Sequence, residues 1–92
     1  MKLPMRFRII HLVSQHDKIS DKEVVEALRD EYGDEGQYRK SIIDTHLMSL
    51  RAVGIIENTG VTLDENDDLV QHFSITDYGR DLLDKYLPSQ WK

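Results

Sequence analysis

Few side chains in this sequence could do covalent or metal chemistry, and their spacing does not favour it. The chain has no cysteine, which excludes disulfides, thiolate metal ligands and cysteine nucleophiles. Its four histidines lack the one-turn spacing of histidines that bind a metal together from one helix. They are His11, His16, His46 and His72. No serine lies in a nucleophile-elbow motif and no glycine-rich loop resembles a phosphate cradle, so we expect no enzyme, no metal site and no cofactor.

A second set of side chains has the chemistry to contact the edges of bases. The stretch 41–53 carries an apolar stripe at helical spacing, and polar or methyl-bearing side chains occupy the opposite side. The stripe is Ile43, Leu47 and Leu50, and the opposite side carries Ser41, Asp44, Thr45 and Met48. Thr45 and Met48 could contact thymine methyl groups, and Asp44 could accept from cytosine N4. Ser41 could reach a base or a phosphate.

Basic residues accompany this helix, although the chain as a whole is acidic. Arg39, Lys40 and Arg51 are the candidates for phosphate contacts, and Lys2, Arg6 and Arg8 could flank them. The net charge of −5 argues against binding driven by charge alone. Positive charge is concentrated in residues 1–16, with three basic and no acidic residues, and in residues 37–57, with three basic and two acidic residues. The alternative is a solvated helix face on which Asp44 only caps the helix.

The hydrophobic periodicity predicts four helices and one hairpin in an α+β chain. The predicted helices cover residues 4–15, 20–31, 41–53 and 77–87, and the predicted hairpin covers residues 55–75. Ile19 forms a short extended segment before the second helix. A two-stranded hairpin is not stable alone, so it must pack on the helices. This order predicts a winged helix-turn-helix, with the helix-turn-helix at 20–53 and the wing at 55–75, in one domain of residues 1–92.

Capping residues predict several of these boundaries. The pattern Ser-x-x-Glu that starts at Ser20 predicts a capping box for the second helix. Ser41 is expected to cap the third helix together with Asp44. Gly54 is expected to end that helix in the left-handed conformation, and Thr76 is expected to cap the fourth helix.

Two motifs resemble winged-helix regulators of the MarR-, PadR- and Fur-like groups. Residues 47–56, LMSLRAVGII, resemble the end of the recognition helix and the first wing strand of these regulators. Residues 73–83, FSITDYGRDLL, are similar to the wing-to-helix junction of MarR- and PadR-like proteins. The resemblance implies a small cytoplasmic transcriptional regulator that binds double-stranded DNA sequence-specifically. Its third helix would enter the major groove.

Two apolar arcs exceed what we expect one small core to cover. The core is predicted to contain Ile9, Leu12, Leu28, Ile43, Leu47, Leu50 and Phe73. The arcs lie on the first and fourth helices and comprise Leu3, Phe7, Ile10, Leu83 and Leu87. Exposed patches of this kind usually mark an interface, so a homodimer is predicted. The alternative is that the fourth helix packs on the first helix of its own chain, with Trp91 sealing the gap.

The wing tip departs from the resemblance. Many DNA-binding wings have basic tips, whereas this one carries Asp64, Glu65, Asp67 and Asp68. The acidic tip favours an alternative function, a winged-helix protein-interaction module such as an adaptor, an antirepressor or a complex subunit. The simplest interpretation of residues 64–68 is a solvated turn. The functional interpretation is a wing that avoids DNA or docks a basic protein surface. No apolar run approaches the ~20 residues of a membrane span, so no membrane association is expected.

Overall fold

The structure, a computed structural model, describes residues 3–33 and 39–91, except for the side chain of Trp91. Within these residues the elements follow the predicted order. The helices are α1 (Met5–Ser14), α2 (Asp21–Tyr32), α3 (Lys40–Ala52) and α4 (Asp77–Tyr86), followed by the 3-10 turn Ser89–Trp91. The strands are β1 (Ile19–Ser20), β2 (Ile56–Leu63) and β3 (Leu69–Ile75). The predicted α+β class, with three helices, a wing and a C-terminal helix, is confirmed.

The sheet has β3 at its centre, and β1 and β2 pair with it in antiparallel fashion. Ile19 lies opposite Phe73, so the extended residue predicted before α2 is part of a strand that ties the base of the wing to the helices. A bulge interrupts β2 at residues 58–60, and β2 then continues to Leu63, opposite Leu69. Among the described residues β2 pairs with β3 alone, so it is an edge strand.

The core lies between the helices and the base of the sheet. The seven predicted core residues are all buried, with exposed fractions of 5% or less, so this prediction is confirmed. Ile9 and Leu12 contribute from α1, and Phe73 contributes from β3. The Tyr32 hydroxyl donates to the Leu3 carbonyl, which draws the segment before α1 onto the end of α2.

Side-chain caps fix the starts of α2 and α4 as predicted. The Ser20 hydroxyl accepts from the Glu23 amide at 3.1 Å, and the Glu23 carboxylate accepts from the Ser20 amide at 3.1 Å. Thr76 accepts from the Gly79 amide at 3.1 Å, while its hydroxyl donates to the Gly54 carbonyl at 2.6 Å. Thr76 therefore joins α4 to the end of α3. A side chain at Gly79 would overlap the chain at the start of the wing, so α4 can pack there only with glycine.

The end of α3 is also the predicted one. Gly54 has φ 82°, the left-handed conformation that glycine adopts without steric cost. The Ile55 amide donates to the Leu50 carbonyl at 3.0 Å, and the Gly54 amide donates to the Arg51 carbonyl at 3.1 Å. These two bonds form a Schellman motif, which turns the chain from α3 directly into the wing.

The start of α3 differs from the prediction. Arg39 is extended, with φ −147° and ψ 149°, and its carbonyl accepts from the amides of residues 42 and 43 at 3.1 Å. Ser41 therefore lies inside the first turn, where it cannot cap the helix. The predicted cap was wrong, and Asp44 contacts the Lys40 ammonium at 2.8 Å instead.

Candidate nucleic-acid interface

α3 presents a solvent-exposed face on the side away from the core. Its buried stripe consists of Ile43, Leu47 and Leu50. Ser41, Thr45 and Met48 are exposed on the opposite side, and Met48 retains 49% of its accessible surface. Asp44 is half-buried at the margin of the same face. The helical period therefore brings the four predicted base-contact residues onto one accessible surface.

Thr45 is suited to an apolar contact. Its hydroxyl donates to the Ser41 carbonyl at 2.9 Å, so its only donor is already used within the helix. The methyl group and the two lone pairs of the hydroxyl oxygen stay available to a ligand. A thymine methyl group is the matching feature in the major groove.

Lys40 is held by two carboxylates. Its Nζ lies 2.8 Å from Asp44 Oδ2 and 3.8 Å from Asp21 Oδ2. Asp21 is buried in the first turn of α2, so this contact joins the starts of the two helices of the helix-turn-helix. Because two acids share its charge, Lys40 is a weaker phosphate candidate than the sequence indicated.

Arg39 and Arg51 lie exposed at the two ends of α3. In the part of the chain that the structure describes, neither forms an ion pair. The helical rise separates them by roughly 18 Å along the axis. An uncompensated guanidinium can bind a phosphate with two parallel hydrogen bonds, so both keep the chemistry predicted for them.

The basic residues of α1 divide into two roles. Arg8 forms an ion pair with Glu31 at 3.0 Å and its side chain is only 12% exposed, so it joins α1 to α2 and does not flank the face of α3. Arg6 donates from Nε to His46 Nδ1 at 3.1 Å, which places it beside α3. Partial burial, and then the charge of Arg6, lower the pKa of His46 and favour the neutral ring. Lys2 lies outside the described residues.

The wing tip is held against the start of α2. The Lys22 ammonium pairs with Asp64, and Asp64 also accepts from the amides of residues 66 and 68 at 2.8 and 3.0 Å. The bond from Lys22, followed by the bond from the residue 68 amide, lowers the pKa of Asp64. Asp64 therefore organises the turn, while the other three acidic residues of the tip remain exposed.

An apolar groove of about 890 Å³ lies between the N-terminal half of α1 and the ends of α3 and α4. We call it the α1–α4 groove; its lining includes Phe7, Val53, Leu82 and Tyr86. Tyr86 and Val53 are 66% and 62% exposed, so they form its accessible rim. Arg6 also lines the groove.

Most residues predicted for a dimer interface lie inside the single chain. Leu3, Ile10, Leu83 and Leu87 are all less than 10% exposed, whereas Phe7 is half-buried in the α1–α4 groove. The expectation that one core could not cover both arcs was wrong, because α4 packs on α1 of its own chain. The alternative also expected Trp91 to seal the gap between α4 and α1, but the side chain of Trp91 lies outside the described residues.

The described histidines, aspartates and glutamates nowhere form a group of three that could hold a metal ion. His46 contacts Arg6, and His72 Nε2 lies 2.9 Å from the Thr62 hydroxyl. None of the described helices combines the length and the apolarity needed to cross a bilayer.

The contacts that residues of α1 and α2 make with α3 were not predicted from the sequence. Asp21 and Lys40 lie on different helices, and no local pattern pairs them. Arg6 and His46 are separated by 40 residues. By contrast, the pair of Lys40 with Asp44 had a signal, because oppositely charged residues four apart on a helix are neighbours.

Comparison with known proteins identifies the fold. No protein-family model and no curated protein sequence matches the chain. Among solved structures, the chain is similar to a PadR-like transcriptional regulator of Bacillus cereus, with a TM-score of 0.68 and 18% identity over 88% of this chain and 75% of that one. It is also similar to Bacillus subtilis PadR in complex with operator DNA, with a TM-score of 0.74 and 20% identity over 90% of this chain and 46% of that one. The chain thus spans less than half of PadR, and its fold is the winged helix-turn-helix of PadR-like regulators.

Proposed function

We propose that this chain binds double-stranded DNA as a small transcriptional regulator, with α3 in the major groove. The observation that carries the proposal is the accessible face of α3, which presents polar and methyl-bearing side chains between Arg39 and Arg51. In helix-turn-helix proteins such a face reads base edges, while cations beside it bind phosphates. The similar fold of PadR, whose structure contains operator DNA, supports DNA binding by this fold.

The proposed role of each side chain follows from the atoms that its contacts within the chain leave available. Thr45 and Met48 offer apolar contacts to thymine, and Ser41 offers a hydroxyl at the start of the helix. Asp44 keeps Oδ1 for cytosine N4, because Lys40 lies against Oδ2. Arg39 and Arg51 are the proposed phosphate contacts. Lys40 can add a third contact only when its ammonium separates from Asp44 and Asp21.

We also propose that the regulator is a homodimer formed at the α1–α4 groove. The groove is apolar, and Val53 and Tyr86 remain exposed at its rim. Exposed apolar surface that is grouped in this way usually marks an interface. A two-fold dimer would present two α3 helices to the DNA. Palindromic operators require such helices to be one DNA turn, ~34 Å, apart.

The DNA proposal is tested by fluorescence anisotropy with a labelled mixed-sequence duplex over a salt series. Arg39→Ala/Arg51→Ala should weaken binding to all sequences and reduce the salt slope by about 2, because two phosphate contacts are lost. The matched control is Arg29→Ala on α2, where the arginine is exposed and pairs with Glu26. Its binding should equal that of the parent.

Two results would contradict the proposal. Equal weakening by Arg29→Ala would show that any surface arginine acts through net charge, so the face of α3 would not be the interface. Absence of binding by the parent at low salt would leave the protein-interaction module as the better description of the fold.

A further inference from the structure

We propose that the tip of the wing is a docking surface for a basic, partly apolar segment of another protein. This role is separate from DNA binding and does not depend on it. Its starting point is three large apolar side chains that the fold leaves in solvent. Val61, Leu63 and Leu69 are 53%, 59% and 68% exposed.

The strand register places these three side chains on one face of the wing. Leu63 lies directly opposite Leu69, and Val61 precedes Leu63 by two residues, so alternation along the strand puts all three on the same side. Val70 points to the other side and is only 8% exposed. The exposed apolar face formed by Val61, Leu63 and Leu69 is called the wing patch.

Charge decides which occupant complements the wing patch. The turn beside it carries Glu65, Asp67 and Asp68, all exposed and, among the described residues, without an ion pair. No lysine or arginine occurs in residues 58–76. These carboxylates would repel DNA phosphates, and a second copy would bring like charges together. Apolar side chains flanked by lysine or arginine are the complementary chemistry.

The wing is held in place before any partner binds. The Lys22–Asp64 ion pair fixes the tip to α2, and the Ser74 hydroxyl donates to the Asp17 carbonyl at 2.5 Å near the base. A preorganised surface loses less conformational freedom on binding. In addition, β2 is an edge strand, so its outer main-chain groups beyond the bulge can pair with an extended segment.

The test is selection of a random phage-displayed peptide library on the full chain, with counter-selection on Leu63→Ser/Leu69→Ser. We expect enriched peptides that combine lysine or arginine with apolar residues. In calorimetry, synthetic copies should bind the leucine variant about tenfold or more weakly than the parent. Both leucines are exposed, so circular dichroism should show an intact fold. The control, Tyr78→Ser, removes an exposed apolar side chain on α4, away from both the α3 face and the α1–α4 groove, and should leave binding unchanged.

A second variant separates charge from apolar contact. Glu65→Gln/Asp67→Asn/Asp68→Asn keeps the wing patch and should weaken the same peptides, with a smaller dependence on salt. Enrichment of peptides without basic residues, or equal binding to the leucine variant, would overturn the proposal. So would a parent dimer that the leucine variant dissociates, since a second copy would then cover the patch. Weaker duplex binding by the leucine variant would assign the patch to DNA and overturn it as well.

Discussion

Lys40 Nζ lies 2.8 Å from Oδ2 of Asp44, one turn further along α3, at the margin of the proposed DNA-binding face. The pair places a carboxylate beside the proposed base-contact residues and removes a cation from the proposed phosphate contacts. Asp21, 3.8 Å away, holds the same ammonium from α2. The charge of Lys40 is therefore compensated at the start of α3, which would lower the general attraction of the proposed face to DNA.

Asp44→Asn should raise the affinity for mixed-sequence duplex DNA. The change removes one negative charge and releases Lys40 from its nearer partner, so one further phosphate can be neutralised. We expect the slope of log K against log salt to steepen by about 0.9, measured by fluorescence anisotropy. Asp81→Asn, an exposed carboxylate on α4, changes the net charge equally and is the control. The same steepening in both variants would attribute the effect to net charge.

Leu47→Ala should lower the free energy of unfolding by ~2–5 kcal/mol, because it opens a cavity in a small core. Leu47 is 1% exposed at the centre of the buried stripe of α3. Urea denaturation measures the change. The neighbouring Met48→Ala, at a position that is 49% exposed, should stay within about 0.5 kcal/mol of the parent. Comparable losses from both variants would mean that the buried face of α3 is assigned incorrectly.

Features that depend on neighbouring residues could be predicted from the sequence. The capping box at Ser20, the left-handed Gly54 and the cap at Thr76 each involve residues within a few positions of one another. The core followed from helical and strand periods in the same way. Ser41 shows the limit of this reasoning, since a cap pattern has no effect when Arg39, two residues earlier, is already the N-cap and the helix begins at Lys40.

Features that depend on packing between distant elements could not be predicted. Lys22 and Asp64 are 42 residues apart, and only the folded hairpin brings them together. When α4 is considered alone, Leu83 and Leu87 make its apolar arc wider than one small core is expected to bury. Their burial depends on α4 crossing α1 of the same chain, which the period of one helix does not reveal.

The chain should lose stability as the pH falls below about 6.5, the ordinary pKa of histidine. Burial first, and Arg6 second, lower the pKa of His46 in the folded state. The unfolded chain therefore binds the proton first, and the free energy of unfolding decreases from pH 6.5 down through the lowered folded pKa. His46→Gln keeps an acceptor for Arg6 and should flatten this decrease.

Urea unfolding at a series of pH values measures this dependence. His16→Gln is the control, because His16 is exposed in the turn after α1. An equal flattening by the control would mean that His46 is not the group responsible.

Val53→Glu and Tyr86→Glu should each convert the proposed homodimer into a monomer of 10.8 kDa. Both side chains are exposed at the rim of the α1–α4 groove, so a carboxylate there costs little in the single chain but would be desolvated in the dimer. Tyr78→Glu is the control, because Tyr78 is also exposed on α4 but does not line the groove. Sedimentation velocity at micromolar concentration distinguishes the states. A parent that sediments as a monomer would rule out the dimer, and a dimer that survives both groove variants would place its interface elsewhere on the chain.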